Sequence, residues 1–263
     1  MEMGLAGKRA MVTGSSAGLG RAIAEMLAAE GASVVVHGRD WARTQAVADA
    51  IEARGGQAIA VVGDLATDNG AASVADAAGE VDILVNNAGY YDSLGWSDLR
   101  SDDWARIYQI NVVSGVRLIA DLVPGMRRRG WGRVITIGGG LALQPTAAQP
   151  HYTATLAARH NLTVGLAREL AGTGVTANVV APGAILTEHV RDMALRVAAA
   201  NGWGPGWEDV ERAASAAWVP NDVGRFGRPD EIAAAVTFLT SKHADYISGA
   251  DIRVDGGTVR AVS

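Results

Sequence analysis

Residues Arg9-Ala10-Met11-Val12-Thr13-Gly14-Ser15-Ser16-Ala17-Gly18-Leu19-Gly20 set the architecture of this chain. An apolar run, Ala10 to Val12, ends in a turn with glycines at 14, 18 and 20, and helix-forming sequence from Arg21 to Ala29 comes directly after. Strand, tight turn and helix in that order form a cradle for phosphate. The glycines let backbone approach a ligand, and the helix start offers free N–H groups and the positive end of a dipole. The spacing T-G-x-x-x-G-x-G differs from the dinucleotide fingerprint G-x-G-x-x-G, so its meaning depends on the rest of the chain.

Beyond the turn the chain alternates. Strands are expected at 33–36, 58–62, 81–85, 133–137, 176–180 and 250–254, and helices near 41–54, 70–78, 102–128, 152–171 and 229–240. Continuous Val/Ile runs separated by helices predict parallel strands buried on both faces. The expected fold is therefore α/β: a Rossmann-like, doubly wound parallel sheet of about seven strands in a three-layer α/β/α sandwich. One domain spans 1–263, and ligands belong at the carboxyl ends of its strands.

Bulk properties narrow the function. The 263 residues are 49% hydrophobic with a net charge of −5, which speaks against nucleic acid or an anionic membrane as partner. The run Arg127-Arg128-Arg129 reads as a solvated helix end. There is no cysteine, so thiolate chemistry is excluded. No metal-ligand pattern stands out, no apolar stretch is long enough to span a bilayer, and the start MEMGLAGKRA lacks a signal-peptide core. A cytoplasmic protein is expected.

The strand ends carry suitable chemistry for a nucleotide. After strand two come His37-Gly38-Arg39. Gly38 stands where an acidic residue would hold the ribose hydroxyls of NAD, and the Arg39 guanidinium suits a 2′-phosphate, so NADP(H) is favoured over NAD(H). After strand three, Asp64 suits an adenine amino group or a helix cap. After strand four, Asn86-Asn87-Ala88-Gly89 offers amides to tie strands together and a glycine for close approach.

This series resembles the short-chain dehydrogenase/reductase family. The resemblance runs from about Leu5 to Thr258: the glycine turn, Asp64, Asn86-Asn87-Ala88-Gly89, Asn111, Tyr152, Pro182-Gly183 with Ile185 and Thr187, and Val254-Asp255-Gly256-Gly257. It implies cofactor contacts from Gly14, Ser16, Gly18, Leu19, Gly20, Arg39, Asp64, Leu65, Asn87, Ala88, Gly89, Tyr152, Pro182 and Gly183, with Ile185 and Thr187 against the nicotinamide. It implies Tyr152 as the general acid, Asn111 as the residue that helps hold a lysine through water, a small-molecule substrate, and a homodimer or homotetramer built on the helices at 102–128 and 152–171.

Two family positions are filled otherwise. Tyr-x-x-x-Lys becomes Tyr152-Thr153-Ala154-Thr155-Leu156, and the serine thirteen residues before the tyrosine becomes Gly139. A free phenol titrates near ~10, and a neighbouring cation lowers that by ~1–3 pH units, so Leu156 removes about 1.4–4 kcal/mol of tyrosinate stabilisation. Arg159 and His160 come after Tyr152 at i+7 and i+8, on a stripe that leans back toward it. Salt-bridged residues at a subunit interface are the reading preferred for them, and a surface or pocket-wall histidine for His151. Residues 188–228 correspond to a substrate-covering lid. Its Trp203, Trp207 and Trp218 either line a pocket or pack the lid, while Tyr90, Tyr91 and Trp96 adjoin the cleft.

The expected function is an NADP(H)-dependent oxidoreductase acting on a carbonyl or alcohol of a small, apolar or aromatic substrate with an incomplete catalytic set. The alternatives are a non-redox isomerase, dehydratase or cyclase, and an inactive nucleotide-binding subunit.

Overall fold

Seven parallel strands form one sheet in the order β3-β2-β1-β4-β5-β6-β7. The computed structural model describes residues 2–260. The strands are β1 (Arg9–Val12), β2 (Ser33–Gly38), β3 (Gln57–Val62), β4 (Ile83–Asn86), β5 (Gly132–Ile137), β6 (Val175–Pro182) and β7 (Asp251–Val254). Each lies within a few residues of its expected place. The expected Rossmann-like doubly wound fold is the one observed.

The helices α1 (Gly18–Ala29), α2 (Trp41–Glu52), α3 (Asp68–Ala78), α4 (Ser101–Tyr108), α5 (Ser114–Arg129), α6 (Pro150–Glu169), α7 (Glu188–Asn201), α8 (Trp207–Trp218) and α9 (Pro229–Thr240) cover both faces. One apolar layer packs α1, α2 and α9 residues such as Ile23, Leu27, Val47, Ile232 and Val236 on one face of the sheet. The other packs Val74, Leu118, Leu122 and Met126 on the opposite face. The order reverses between β1 and β4, so the crevice for a ligand opens there. Register sets it: Val12 lies beside both Val36 and Val85, and the residues just beyond these three meet at one place.

The sequence expectations need four corrections. The strands are not uniformly buried, because β3 is an edge strand and alternates exposed and covered residues. The single helix expected at 102–128 is two helices joined by one π-helical stretch, Gln109–Val113, which contains Asn111. The first helix begins at Gly18 rather than Arg21, so the last two turn glycines lie inside its opening turn. The lid holds two helices, α7 and α8, where the sequence expectation places none. The triple-arginine run closes α5 just before a left-handed Gly130, as expected of a helix end.

Candidate active site

The glycine turn is braced on three sides. Gly14 takes φ +64°, and a Cβ on it would stand 3.0 Å from Ala88 Cα. Gly20 is tighter still: its Cβ would fall 2.4 Å from the Gly14 carbonyl oxygen. Asn87 donates from Nδ2 to the Thr13 and Gly14 carbonyls at 2.9 and 3.2 Å. Thr13 Oγ1 accepts from the backbone N–H groups of Asn87 and Ala88, both at 2.9 Å. The expected strand-tying role of the amide therefore falls to Asn87. Asn86 is buried beside Gly115, whose Cβ would lie 3.3 Å from the Asn86 amide.

The third brace is His37, a role that sequence reading does not reveal. It is buried at 3% exposure, and the Gly14 N–H donates to its Nδ1 at 3.2 Å. Nε2 lies 3.2 Å from the Gly63 carbonyl, so the bonding pattern assigns the proton to Nε2 and leaves the ring neutral. Burial pushes this histidine below its ordinary value, with the Arg39 charge acting in the same direction. The available signal is a histidine inside an otherwise Val-rich strand.

The residues here fit a dinucleotide. α1 begins behind Ala17 with no side-chain cap and no acid in its first turn, whereas α2, α3 and α7 are capped by Asp40, Thr67 and Thr187. Its first N–H groups are thus available to a diphosphate. A Cβ at Gly38 would meet Thr44 Oγ1 at 2.4 Å and Ser16 at 2.9 Å, so an acidic side chain does not fit there. Arg39, one residue on, is exposed, and no hydrogen bond or ion pair engages it among the described residues. Asp64 Oδ1 accepts from the Ala66 N–H at 3.0 Å, forming a turn rather than the helix cap, which Thr67 supplies. Leu65 is buried beside it. Thr187 caps α7 with its methyl group facing Gly18, and Ile185 forms a bridge to Gly227. Gly183 packs on the Asp255 backbone.

Tyr152 sits in the first turn of α6, against the Tyr91 ring at 5.8 Å. Burial raises its phenol above the ordinary value; the nearby Arg159 charge opposes this and Tyr91 adds to it. Leu156, one turn on, is 2% exposed and packs where a Gly139 side chain would begin, 3.1 Å from that Cβ position. Gly139 itself has an extended backbone that any residue adopts.

Arg159 departs most from expectation. It is buried, not at a salt-bridged surface, and no carboxylate pairs with it among the described residues. Its guanidinium donates to three backbone carbonyls: Nε to Asn111 at 2.5 Å, Nη1 to Ile137 at 2.8 Å, and Nη2 to Ala88. Burial lowers it to about 10, with Tyr152 the one group opposing, so it stays a cation at neutral pH. Asn111 is held by Tyr90 backbone bonds of 2.7 and 2.8 Å and by Thr155 at 3.1 Å. Its carbonyl thus receives an arginine where the family resemblance implied a water-held lysine.

The histidines also depart from expectation. His160 has other partners: the Gly139 N–H donates to its Nε2 at 3.3 Å, and Nδ1 stands 2.7 Å from Asp251. His151 is buried, with Nε2 2.6 Å from Asp92. The lid tryptophans pack the lid, Trp203 on Trp218 at 5.5 Å and Trp218 on Phe226 at 6.3 Å. Tyr90, Tyr91 and Trp96 remain as the exposed aromatic rim. A cavity of about 740 Å³ lies at the opposite end of the sheet, lined by Trp131, Arg133 and Asp245, far from these groups.

Residues 8–197 match the short chain dehydrogenase family. The chain belongs to that family. This short-chain dehydrogenase is 38% identical to an uncharacterized oxidoreductase of Bacillus subtilis, YvaG, over the full length of both. It is 38% identical to the 3-oxoacyl-[acyl-carrier-protein] reductase FabG of Escherichia coli, covering 97% of this chain and 98% of that one. Among solved structures it is similar to L-sorbose reductase from Gluconobacter frateurii complexed with NADPH and L-sorbose, with TM-score 0.93, 34% identity and full coverage of both chains. No described helix is long and apolar enough to cross a membrane, and the described residues contain no acid or histidine cluster able to hold a metal.

Proposed function

We propose that this chain is an NADP(H)-dependent oxidoreductase that interconverts a carbonyl and an alcohol on a small substrate, with Gly139 and Leu156 standing in place of serine and lysine. The observation that carries the reading is the cofactor end. An uncapped α1 lies behind a turn braced by His37 and Asn87, Gly38 has no room for an acid, and Arg39 is free to meet a 2′-phosphate. The reductases it resembles, one of them in complex with NADPH, support the same choice.

NADPH, when bound, supplies the hydride that the carbonyl carbon receives. Gly14, Ser16, Gly18, Leu19, Gly20, Asp64, Leu65, Asn87, Ala88 and Gly89 would line its adenosine and diphosphate. Pro182, Gly183, Ile185 and Thr187 would lie beside the nicotinamide. Tyr152 gives its phenolic proton to the substrate oxygen, which becomes the hydroxyl, and recovers a proton from solvent; alcohol oxidation runs these transfers in reverse. The rim of Tyr90, Tyr91 and Trp96 suits an apolar or aromatic substrate. Residues 188–228 act as the cover, in a cytoplasmic dimer or tetramer built on α4, α5 and α6.

Tryptophan fluorescence titration with NADPH and NADH tests the first half. NADPH binds more tightly, and Arg39→Ala weakens it roughly tenfold while leaving NADH unchanged. Turnover on carbonyl substrates then falls by about 10²–10⁴ in Tyr152→Phe. Saturable NADPH binding with no NADPH consumption on any carbonyl would reject the reductase in favour of a non-redox enzyme or a silent subunit.

A further inference from the structure

Within the site, one buried charge has no counter-ion. Arg159 lies two helical turns beyond Tyr152 on the same side of α6, and helical side chains lean toward the N-terminus, so its guanidinium is carried back toward the phenol. The three carbonyls that hold it belong to the end of β5, the segment after β4 and the π-helical stretch at Asn111. The segment after β4 also carries Tyr91, whose ring packs against Tyr152 at 5.8 Å. Carbonyl dipoles engage three of the five N–H donors but leave a full positive charge, and at 7% exposure little water reaches it to screen it. Gly89 adjoins the guanidinium: a Cβ there would lie 3.4 Å from Arg159 Nη2, at ordinary contact distance.

We propose that Arg159 is the positioning cation of this active site: it stabilises the Tyr152 phenolate that forms as the proton leaves, the task that a lysine at residue 156 would otherwise perform. The proposal rests on the reductase reading for what the proton is delivered to. It concerns charge and place, so it also explains why Leu156 is tolerated: the cation has moved three residues along α6, and an apolar side chain fills the space it left.

The groups facing the phenol are few. Arg159 comes from its own helix and Tyr91 from the segment after β4. Asp92 is engaged by His151, Tyr90 and Arg106, and His160 by Asp251. Asn111 and the glycines after β5 bring no charge. Burial drives Tyr152 upward and Arg159 is the one opposing charge, so removing Arg159 raises the pH at which the phenol ionises.

A spectroscopic titration reads this without substrate or cofactor. Tyrosinate absorbance near the ultraviolet edge is followed against pH in the full-length protein, and Tyr152→Phe identifies which of the five tyrosines is being read. Arg159→Met raises that midpoint by up to about one pH unit, because the guanidinium, lowered to about 10, begins to lose its own charge over the same range. Arg159→Gln, which keeps donors for the carbonyls but no charge, raises it similarly and decides the matter if the Met variant does not fold. Arg159→Lys stays near the wild type. A midpoint in folded Arg159→Gln that matches wild type overturns the proposal and leaves Arg159 a tie between strand ends. Because no turnover is required, that failure leaves the reductase reading intact, and an enzyme inert toward carbonyls leaves the coupling intact.

Discussion

Among the described residues two arginines are buried, at opposite ends of the same sheet, and they are treated differently. Arg133, at the start of β5, is 1% exposed; it stacks over Trp131 at 4.4 Å and pairs with the Asp245 carboxylate. Arg159, at the carboxyl ends of the strands, is 7% exposed and has carbonyls alone. Burial lowers both, but the group that opposes the shift is the Asp245 carboxylate for Arg133 and, for Arg159, the Tyr152 phenol, which carries a charge only when ionised. A guanidinium with its counter-ion in place is already neutralised and serves to hold β5 to the chain near residue 245. One whose only prospective counter-ion is a phenolate stabilises the charged state of that phenol more than the neutral one. That differential is what an acid–base catalyst requires.

The contrast has consequences that separate the two ends. Asp245→Ala turns Arg133 into a second unpaired cation. Loss of a hydrogen bond to a charged buried group costs about 1.5–3 kcal/mol, so the melting temperature falls by several degrees while the tyrosinate midpoint of Tyr152 stays put. A shifted midpoint would show that the ends are electrically coupled.

The converse change is Gly89→Asp, which brings a carboxylate beside Arg159 and makes it resemble Arg133. Against the uncharged control Gly89→Asn, the Tyr152 midpoint is expected to rise by about one pH unit. Equal midpoints in the two variants would mean that the Arg159 charge does not reach the phenol.

The smallest effect concerns the brace of the glycine turn. His37 is neutral in the fold and held below 6.5. The unfolded chain therefore gains a proton near pH 6.5 that the folded chain refuses. Stability is full above that pH and declines as pH falls through 6.5 toward the lower folded value. The melting temperature should drop below pH 6.5 by less in His37→Gln than in wild type; parallel curves would show that His37 does not brace the turn as a neutral ring.

Sequence reading reaches the sheet, its parallel sense and the turn at 14–20 because strand, glycine turn and helix are local signals. It reaches Tyr152, Asn111 and Arg39 as positions in a pattern. It does not reach the π-helical stretch at 109–113, because the apolar spacing runs through it unbroken and the extra residue per turn leaves no compositional mark. The helix at 188–201 does carry signals, Thr187 as cap, Glu188 in the first turn and Gly202 at the end, which the interleaved tryptophans and glycines further on obscure. Arg159 falls on the correct stripe but reads as surface, since an arginine is rarely buried without a carboxylate. Only the backbone shows three carbonyls converging on the space its side chain enters, and such convergence has no sequence signature.

Returning the cation to the family position asks whether its location on α6 is interchangeable. Turnover of NADPH with an accepted carbonyl substrate is compared for wild type, Arg159→Leu, and Arg159→Leu combined with Leu156→Lys, each confirmed folded and NADPH-bound. The single variant should lose roughly 10²–10³ in rate, and the double variant should recover at least tenfold of that loss. A double variant as slow as the single one, or a single variant as fast as wild type, would contradict the assignment of Arg159 as the cation that serves Tyr152.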